Sequence, residues 1–320
     1  MERPTYQRGQ SSTHAFQLLC LRISRRSPKR DQRKLSIFEK KGKHWETVAY
    51  LGEPTGLIGY VEIKSGRRYL SEQGIEALVS ALGRLIAFSE EKESEQLFAF
   101  ATASLRDVEN IDDIQNVVYS SYGIRIDVIS GEEEALCSLK GLLSDEVCEG
   151  VSEGVMIDMG GGSTEVVYFV NGQEPIIRSL PFGSLSLTNG FVGQYPPTES
   201  ESELISAYVA EQMSVCRFVK GIGCPVFLIG GTARAVSKLA YAIKPRKKEI
   251  LKVSDFDMLY TKMITDDITR ALAEKLIPKR VKTITAGAVA YFEILKYISP
   301  DGIYVSESGV REGYLERILI

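Results

Sequence analysis

Between Glu72 and Glu91 the apolar residues Ile75, Leu78, Val79, Leu82 and Leu85 recur at close to every 3.6 positions, which predicts a long helix with one side turned to a core. Before it, Phe16 to Ser24, Leu35 to Lys40 and Glu46 to Leu51 alternate apolar or β-branched residues with polar ones. They predict three strands forming the antiparallel start of a sheet. After it, "QLFAFATAS" (96–104) reads as a nearly continuous apolar strand, Asn110 to Tyr122 as a helix and "IRIDVIS" (124–130) as a further strand. Buried strands alternating with amphipathic helices place the chain in the α/β class.

The pattern starts afresh after Gly131. It predicts a helix at 132–144, strands at 154–159, 165–171 and 175–180, helices at 199–220, 232–243, 254–276 and 284–298, and short strands at 225–229 and 302–306. Two domains are expected, 1–127 and 128–320, with a last helix at about 309–320 free to pack back on the first domain. Both halves run through three strands followed by helix and strand units, an order compatible with duplication.

At 320 residues and 44% hydrophobic content, the chain can cover a core in each of two domains. Its 39 basic and 42 acidic residues give a net charge of -3, so an anion site has to be local, and neither a nucleic-acid nor a membrane partner is expected. No apolar run approaches the roughly 20 residues of a membrane span, and no charged-then-apolar leader opens the sequence. A cytoplasmic location is the expectation. Five cysteines without CxxC spacing and only His14 and His44 argue for reduced structural thiols rather than a zinc site. Two basic stretches, 25–34 and 244–249, read as solvated loops or as a rim for a long polyanion.

Chemistry concentrates in "IDMGGGSTE" (157–165). A strand delivers Asp158 at its carboxyl end, and Gly160, Gly161 and Gly162 permit positive φ and close approach, so that successive N–H groups can cradle phosphate oxygens. Ser163 and Thr164 add hydroxyls, and Asp158 with Glu165 could hold a hard cation such as Mg2+. "SGEEEA" (130–135) puts three carboxylates in the first turn of a helix, where successive residues are about 100° apart and cannot share one environment. One of the three is expected to face the site. Arg106, with Thr102 and Ser104, lies at a strand-to-helix junction suited to an anion. Gly230, Gly231 and Thr232 form another strand–turn–helix entry, and Ser306, Ser308 and Arg311 a third.

Taken in order, A-T-x-x-L-R-x-x-x-N at 101–110, S-G-x-E-E-A at 130–135, I-D-x-G-G-G-S-T-E at 157–165, G-G-T at 230–232 and V-S-x-x-G-x-R-E-G at 305–313 resemble the exopolyphosphatase and guanosine pentaphosphate phosphohydrolase family, a branch of the actin-like phosphotransferase superfamily. The resemblance covers about residues 48–320. It implies two actin-like (ribonuclease H-like) domains, each a mixed five-stranded sheet flanked by helices, with a cleft between them. It also implies release of terminal phosphate from inorganic polyphosphate or guanosine pentaphosphate by Mg2+-dependent in-line attack of water, and a homodimer. By motif position Glu134 matches the general base, Asp158 and Glu165 match the acids that place metal and water, residues 160–164 match a phosphate loop, and Arg106 matches a substrate contact. The helical C-terminal extension of longer relatives is not matched.

One stretch departs from that pattern. The family opens with D-x-G-[ST]-N-S, and here "QSSTHA" (10–15) places Gln10, Ser12, His14 and Ala15 at the altered positions and keeps only Thr13. Leu136 also stands where relatives commonly carry Arg. Each lost charged contact to phosphate costs about 1.5 to 3 kcal/mol. An active hydrolase is therefore set beside a weakly active or non-catalytic polyphosphate- or alarmone-binding protein, and beside an actin-like ATPase or sugar kinase.

Overall fold

The computed structural model describes residues 16–22, 35–41, 44–50, 57–102, 105–245 and 250–319. The chain divides into two compact units, Met1–Gly131 and Glu132–Ile320, where the sequence pattern had suggested a division at 127/128. The predicted loop at Gln10 to Ala15, including Thr13, and the basic stretch 25–34 lie outside the described residues.

The first unit carries β1 (Phe16–Arg22), β2 (Leu35–Lys41), β3 (His44–Tyr50), the hairpin β4 (Val61–Lys64) and β5 (Arg67–Leu70), α1 (Glu72–Glu91), β6 (Gln96–Ala101), α2 (Ile111–Tyr122) and β7 (Ile126–Val128). Its main sheet has five strands in the order β3-β2-β1-β6-β7. β1 pairs with β2 in parallel and with β6 antiparallel, which corrects the expected antiparallel opening. The twelve residues between β1 and β2 are enough for a crossover, whereas a tight hairpin turn would have enforced antiparallel pairing. α1 starts where Ser71 accepts a hydrogen bond from Gly74 N–H at 3.2 Å and buries Leu78, Leu82 and Leu85. Asn110 ties the start of α2 to the hairpin by bonding both Leu70 N (3.0 Å) and Leu70 O (2.9 Å).

The second unit follows with α3 (Gly131–Leu143), β8 (Glu153–Met159), β9 (Thr164–Val170), β10 (Ile176–Leu180), α4 (Ser184–Phe191), α5 (Glu199–Met213), β11 (Val226–Ile229), α6 (Gly230–Ile243), α7 (Val253–Thr265), α8 (Asp267–Leu276), α9 (Val281–Ile298), β12 (Ile303–Val305) and α10 (Val310–Ile318). Its sheet runs β10-β9-β8-β11-β12, an antiparallel meander joined to two parallel strands. β8 lies at the centre and is buried on both faces. On one face Val155, Ile157, Met159, Val166 and Leu228 pack into the large core that includes residues of α4 to α9. On the other, Met156, Val167, Phe169, Phe227 and Ile229 pack against Ala135, Leu139 and Leu142 of α3. Each fully buried aliphatic side chain of this kind contributes about 1.5–3 kcal/mol.

Three local departures from the sequence pattern have plain causes. The single helix expected at 254–276 breaks at Asp266, whose carboxylate accepts from Ile268 N (3.1 Å) and Thr269 Oγ1 (2.7 Å) and caps a new helix. α4 adds a helix to the predicted set, over "SLSLTNGF", where the sequence pattern assigns no element. The terminal helix α10 packs on α3 of the second unit. Backbone meets backbone there, since a Cβ on Gly313 would strike the Cys137 carbonyl and one on Gly141 the Gly309 carbonyl. Beside that crossing Asp145 Oδ2 accepts from Ser306 Oγ (2.6 Å), Glu307 N (3.1 Å) and Ser308 N (3.1 Å). Burial opposes ionisation of Asp145, but the bonds from Ser306, Val147 and Ser308 outweigh it and hold the carboxyl below its usual range.

Candidate active site

The antiparallel ladder makes Asp158 and Glu165 direct cross-strand partners, on the face of the sheet that α3 covers. Such pairs bring Cβ atoms to roughly 4.5–5.5 Å. Two acids are thus held together at the mouth of the 160–163 turn. The parallel register sets Ile229 beside Asp158, so the next residue, Gly230, abuts the same carboxylate. Gly230 adopts φ +92, and a Cβ on it would lie 3.0 Å from Asp158 Oδ1. Glycine is required at this position on both counts.

The three glutamates of α3 take three different paths. Glu132 is exposed, Glu133 forms an ion pair with Arg317 of α10 at 3.0 Å, and Glu134 lies close enough to Glu165 to perturb its ionisation. Glu165 is only 3% exposed. Burial, then the charges of Glu134 and Asp158, push its carboxyl up to about 8, against hydrogen bonding from Ser179 and Ser163. Ser179 Oγ donates to Glu165 Oε1 at 2.9 Å. Asp158 is likewise raised by burial, opposed by the hydrogen bond from Ser138 and the charge of Arg234.

The glycine turn is built differently from the expectation. None of Gly160, Gly161 and Gly162 takes a positive φ. The turn closes with Gly160 N donating to Ser163 O at 3.0 Å, and its carbonyls face α4: Ser184 N donates to Gly160 O (3.0 Å), and Leu185 N (3.1 Å) and Ser186 N (2.8 Å) to Gly161 O. Close approach explains the composition, because a Cβ on Gly183 would come within 2.6 Å of Gly160 O and Gly162 N. In a trans peptide the N–H points opposite to the C=O. The N–H groups of Gly161 and Gly162 therefore turn away from α4, and among the described residues they and the N–H of Ser163 donate to no backbone acceptor. A Cβ on Gly162 would meet open space, so this side of the loop is a ready cradle for anionic oxygens.

Other expected site residues have their hydroxyls committed to the fold. Thr164 Oγ1, fully buried, donates to Phe182 O at 2.7 Å. Thr232, 1% exposed, bonds Ser184 Oγ at 3.2 Å and accepts from Arg280 Nη1 at 3.2 Å. Both hydroxyls thus make hydrogen bonds within the fold. Gly231 makes room for Arg280, whose guanidinium would collide with a Cβ there. In the first unit, Arg106 is fixed by Nε donating to Ile129 O at 3.2 Å, and its own carbonyl accepts from Arg68 Nη1 at 3.2 Å.

Sequence reasoning missed Ser138, Ser179, Arg234 and Arg280. Ser138 alone had a usable signal, since it follows Glu134 by four residues and so shares its helix face. The other three arrive from separate elements that only the tertiary fold brings together.

The donor set suits a hard divalent cation. Carboxylate oxygens are its preferred ligands, and Glu165 is pushed upward by burial first and then by the charges of Glu134 and Asp158, the part that a cation would relieve. Among the described residues no three His, Cys, Asp or Glu side chains form a self-sufficient metal cage. The described cysteines 137, 148, 216 and 224 are free and buried. Burial raises the last three to about 11, as expected of inert thiols. Among the described residues no helix is long and apolar enough to cross a membrane.

Comparison with known proteins agrees with this architecture. The chain is 26% identical over 286 residues to exopolyphosphatase 1 of Mycobacterium leprae (strain TN), covering 84% of this chain and 83% of that protein. It is 24% identical over 221 residues to a guanosine-5'-triphosphate,3'-diphosphate pyrophosphatase of Aeromonas hydrophila subsp. hydrophila, covering 68% of this chain and 44% of that protein. Its fold resembles the crystal structure of the Aquifex aeolicus Ppx/GppA family member with a TM-score of 0.74 at 24% identity, over 95% of this chain and 98% of that one. The α/β fold, with its two five-stranded sheets, is shared with that structure. The model of the Ppx/GppA phosphatase family matches residues 36–320, and the chain belongs to that family.

Proposed function

We propose that this protein releases terminal phosphate from inorganic polyphosphate or guanosine pentaphosphate by in-line attack of water, with Mg2+ held at Asp158 and Glu165. The observation that carries the reading is the convergence of Glu134, Asp158 and Glu165 beside a turn whose N–H groups at 161–163 donate to no backbone acceptor among the described residues. Two of the relatives it resembles are named for these two activities, which is why both substrates are kept. The 161–163 N–H groups receive the oxygens of the terminal phosphoryl group and fix its orientation. Glu134 takes the proton of the attacking water, general-base assistance of about 10²- to 10⁴-fold. Ser138 and Ser179 hold Asp158 and Glu165 in place. Bound Mg2+ would supply charge neutralisation at the phosphoryl oxygens. Arg106 and the backbone at Gly230 and Gly231 are further substrate contacts by motif position, and the enzyme acts in the cytoplasm as a homodimer by family analogy.

Phosphate release from long-chain polyphosphate and from guanosine pentaphosphate, each with Mg2+, tests the proposal. Glu134→Ala should lower turnover by about 100-fold or more, and no release from either substrate by the unaltered protein sinks the hydrolase. The altered stretch Gln10 to Ala15 favours a second reading, a binder without turnover. It requires thermal stabilisation by polyphosphate that persists in Glu134→Ala while neither protein releases phosphate.

A further inference from the structure

We propose that Ser138 is a positioning residue for Asp158, fixing the carboxylate so that Oδ1 is the oxygen presented to a divalent cation. The inference rests on Asp158 as a cation ligand, as proposed above. Ser138 Oγ donates to Asp158 Oδ2 at 2.7 Å, and the serine is fully buried. A serine inside a helix ordinarily points to solvent or bonds back to the carbonyl four residues earlier. Here that carbonyl belongs to Glu134, and the hydroxyl reaches the strand instead.

Oδ2 is thereby engaged, while Oδ1 lies against Gly230, which has no Cβ to crowd it. An aspartate at a strand end is otherwise free to rotate about its side-chain bonds, at an entropic cost on cation binding. Ser138 cannot follow such a rotation. α3 is fixed from behind by the backbone contacts of Gly141 with Gly309 and of Gly313 with Cys137, and by the Asp145 clamp on Ser306, Glu307 and Ser308. Glu134 and Ser138 are four residues apart on that helix, one above the other. One helix position therefore sets both the proposed base and the proposed cation ligand.

The test is titration with Mn2+ in the absence of substrate, reading free Mn2+ by electron paramagnetic resonance, for the unaltered protein, S138A and S138T. Thermal unfolding of each metal-free protein reports whether the fold is intact. S138A should bind Mn2+ about 10- to 100-fold more weakly, the usual size of an outer-shell effect, and S138T, which keeps the hydroxyl, should recover most of that loss. In S138A, KM for the phosphate substrate at saturating Mg2+ should stay unchanged while the Mg2+ concentration giving half-maximal rate rises. Unaltered Mn2+ affinity in S138A overturns the proposal. So does an S138T with an unchanged unfolding midpoint that binds as weakly as S138A. If the unaltered protein releases no phosphate but the Mn2+ pattern holds, the hydrolase reading falls and Ser138 keeps its role. If phosphate is released and S138A binds Mn2+ normally, the reverse follows.

Discussion

The glycines of the 160–162 turn and those of the α3–α10 crossing differ in what surrounds them. The run of three is conspicuous in the sequence, yet a Cβ on Gly162 would meet nothing within 4 Å and one on Gly160 only Ser163 O at 3.4 Å. Gly141 and Gly313 are isolated glycines with no motif of their own at 141, yet a Cβ on either would run into main-chain atoms of the partner helix. In the turn, glycine keeps a surface open and lets the neighbouring Gly183 approach. At the crossing it sets the distance between two helices. Of these two regions, the glycine run marks where something else can lie, and Gly141 and Gly313 mark where the protein lies against itself.

The comparison breaks most readily at Gly313. Gly313→Ala should lower stability by about 3 kcal/mol through overpacking, read by calorimetry as a midpoint lower by about 6 to 12 °C; an unchanged midpoint would mean that the crossing is not tight. Gly230→Ala comes next. Its φ of +92 and contact with Asp158 Oδ1 should cost about 1–3 kcal/mol of strain, and Mn2+ titration should show weakened binding even in the folded variant.

The carboxylates supply a third test. Glu165 is raised from 4.5 to about 8, so between those values the folded state binds more protons than the unfolded state. Metal-free stability should fall as pH rises through that window, by up to about 1.4 kcal/mol per pH unit. Denaturant titrations at several pH values should show Glu165→Gln flattening the slope, and Mg2+ should do the same in the unaltered protein. The smallest effect belongs to Gly162→Ala, which should leave stability unchanged or raise it by about 0.4–1 kcal/mol through the unfolded chain. Steady-state kinetics should nonetheless show a higher KM, because the methyl group would stand in the open side of the cradle.

Much of the fold was legible wherever a periodicity was long. α1 spans Glu72–Glu91 as the apolar spacing predicts, and β8, β9 and β10 lie within a residue of their expected bounds. α4 escaped because its serines and glycine carry no apolar rhythm, and the break at Asp266 because capping is a side-chain event inside an unbroken amphipathic pattern. Within the site, Glu134, Asp158 and Glu165 could be named from their motifs, whereas Ser179 and Arg280 enter from strands and helices whose proximity no local spacing encodes. The turn's positive φ was a wrong inference from glycine content. Its conformation is set by hydrogen bonds to α4, which the sequence does not display.

Those bonds have an electrical consequence. The peptide units whose N–H groups face the cradle are the same ones whose oxygens receive the first N–H groups of α4. The helix macrodipole therefore ends on the loop rather than on the ligand. Each accepted bond polarises its peptide and strengthens the donor at the opposite end, so the positive end of α4 is passed through one peptide layer to Gly161 and Gly162. Attraction for the proposed phosphate would then come from fixed, oriented amides that need no lysine or arginine at that point and cannot be titrated away.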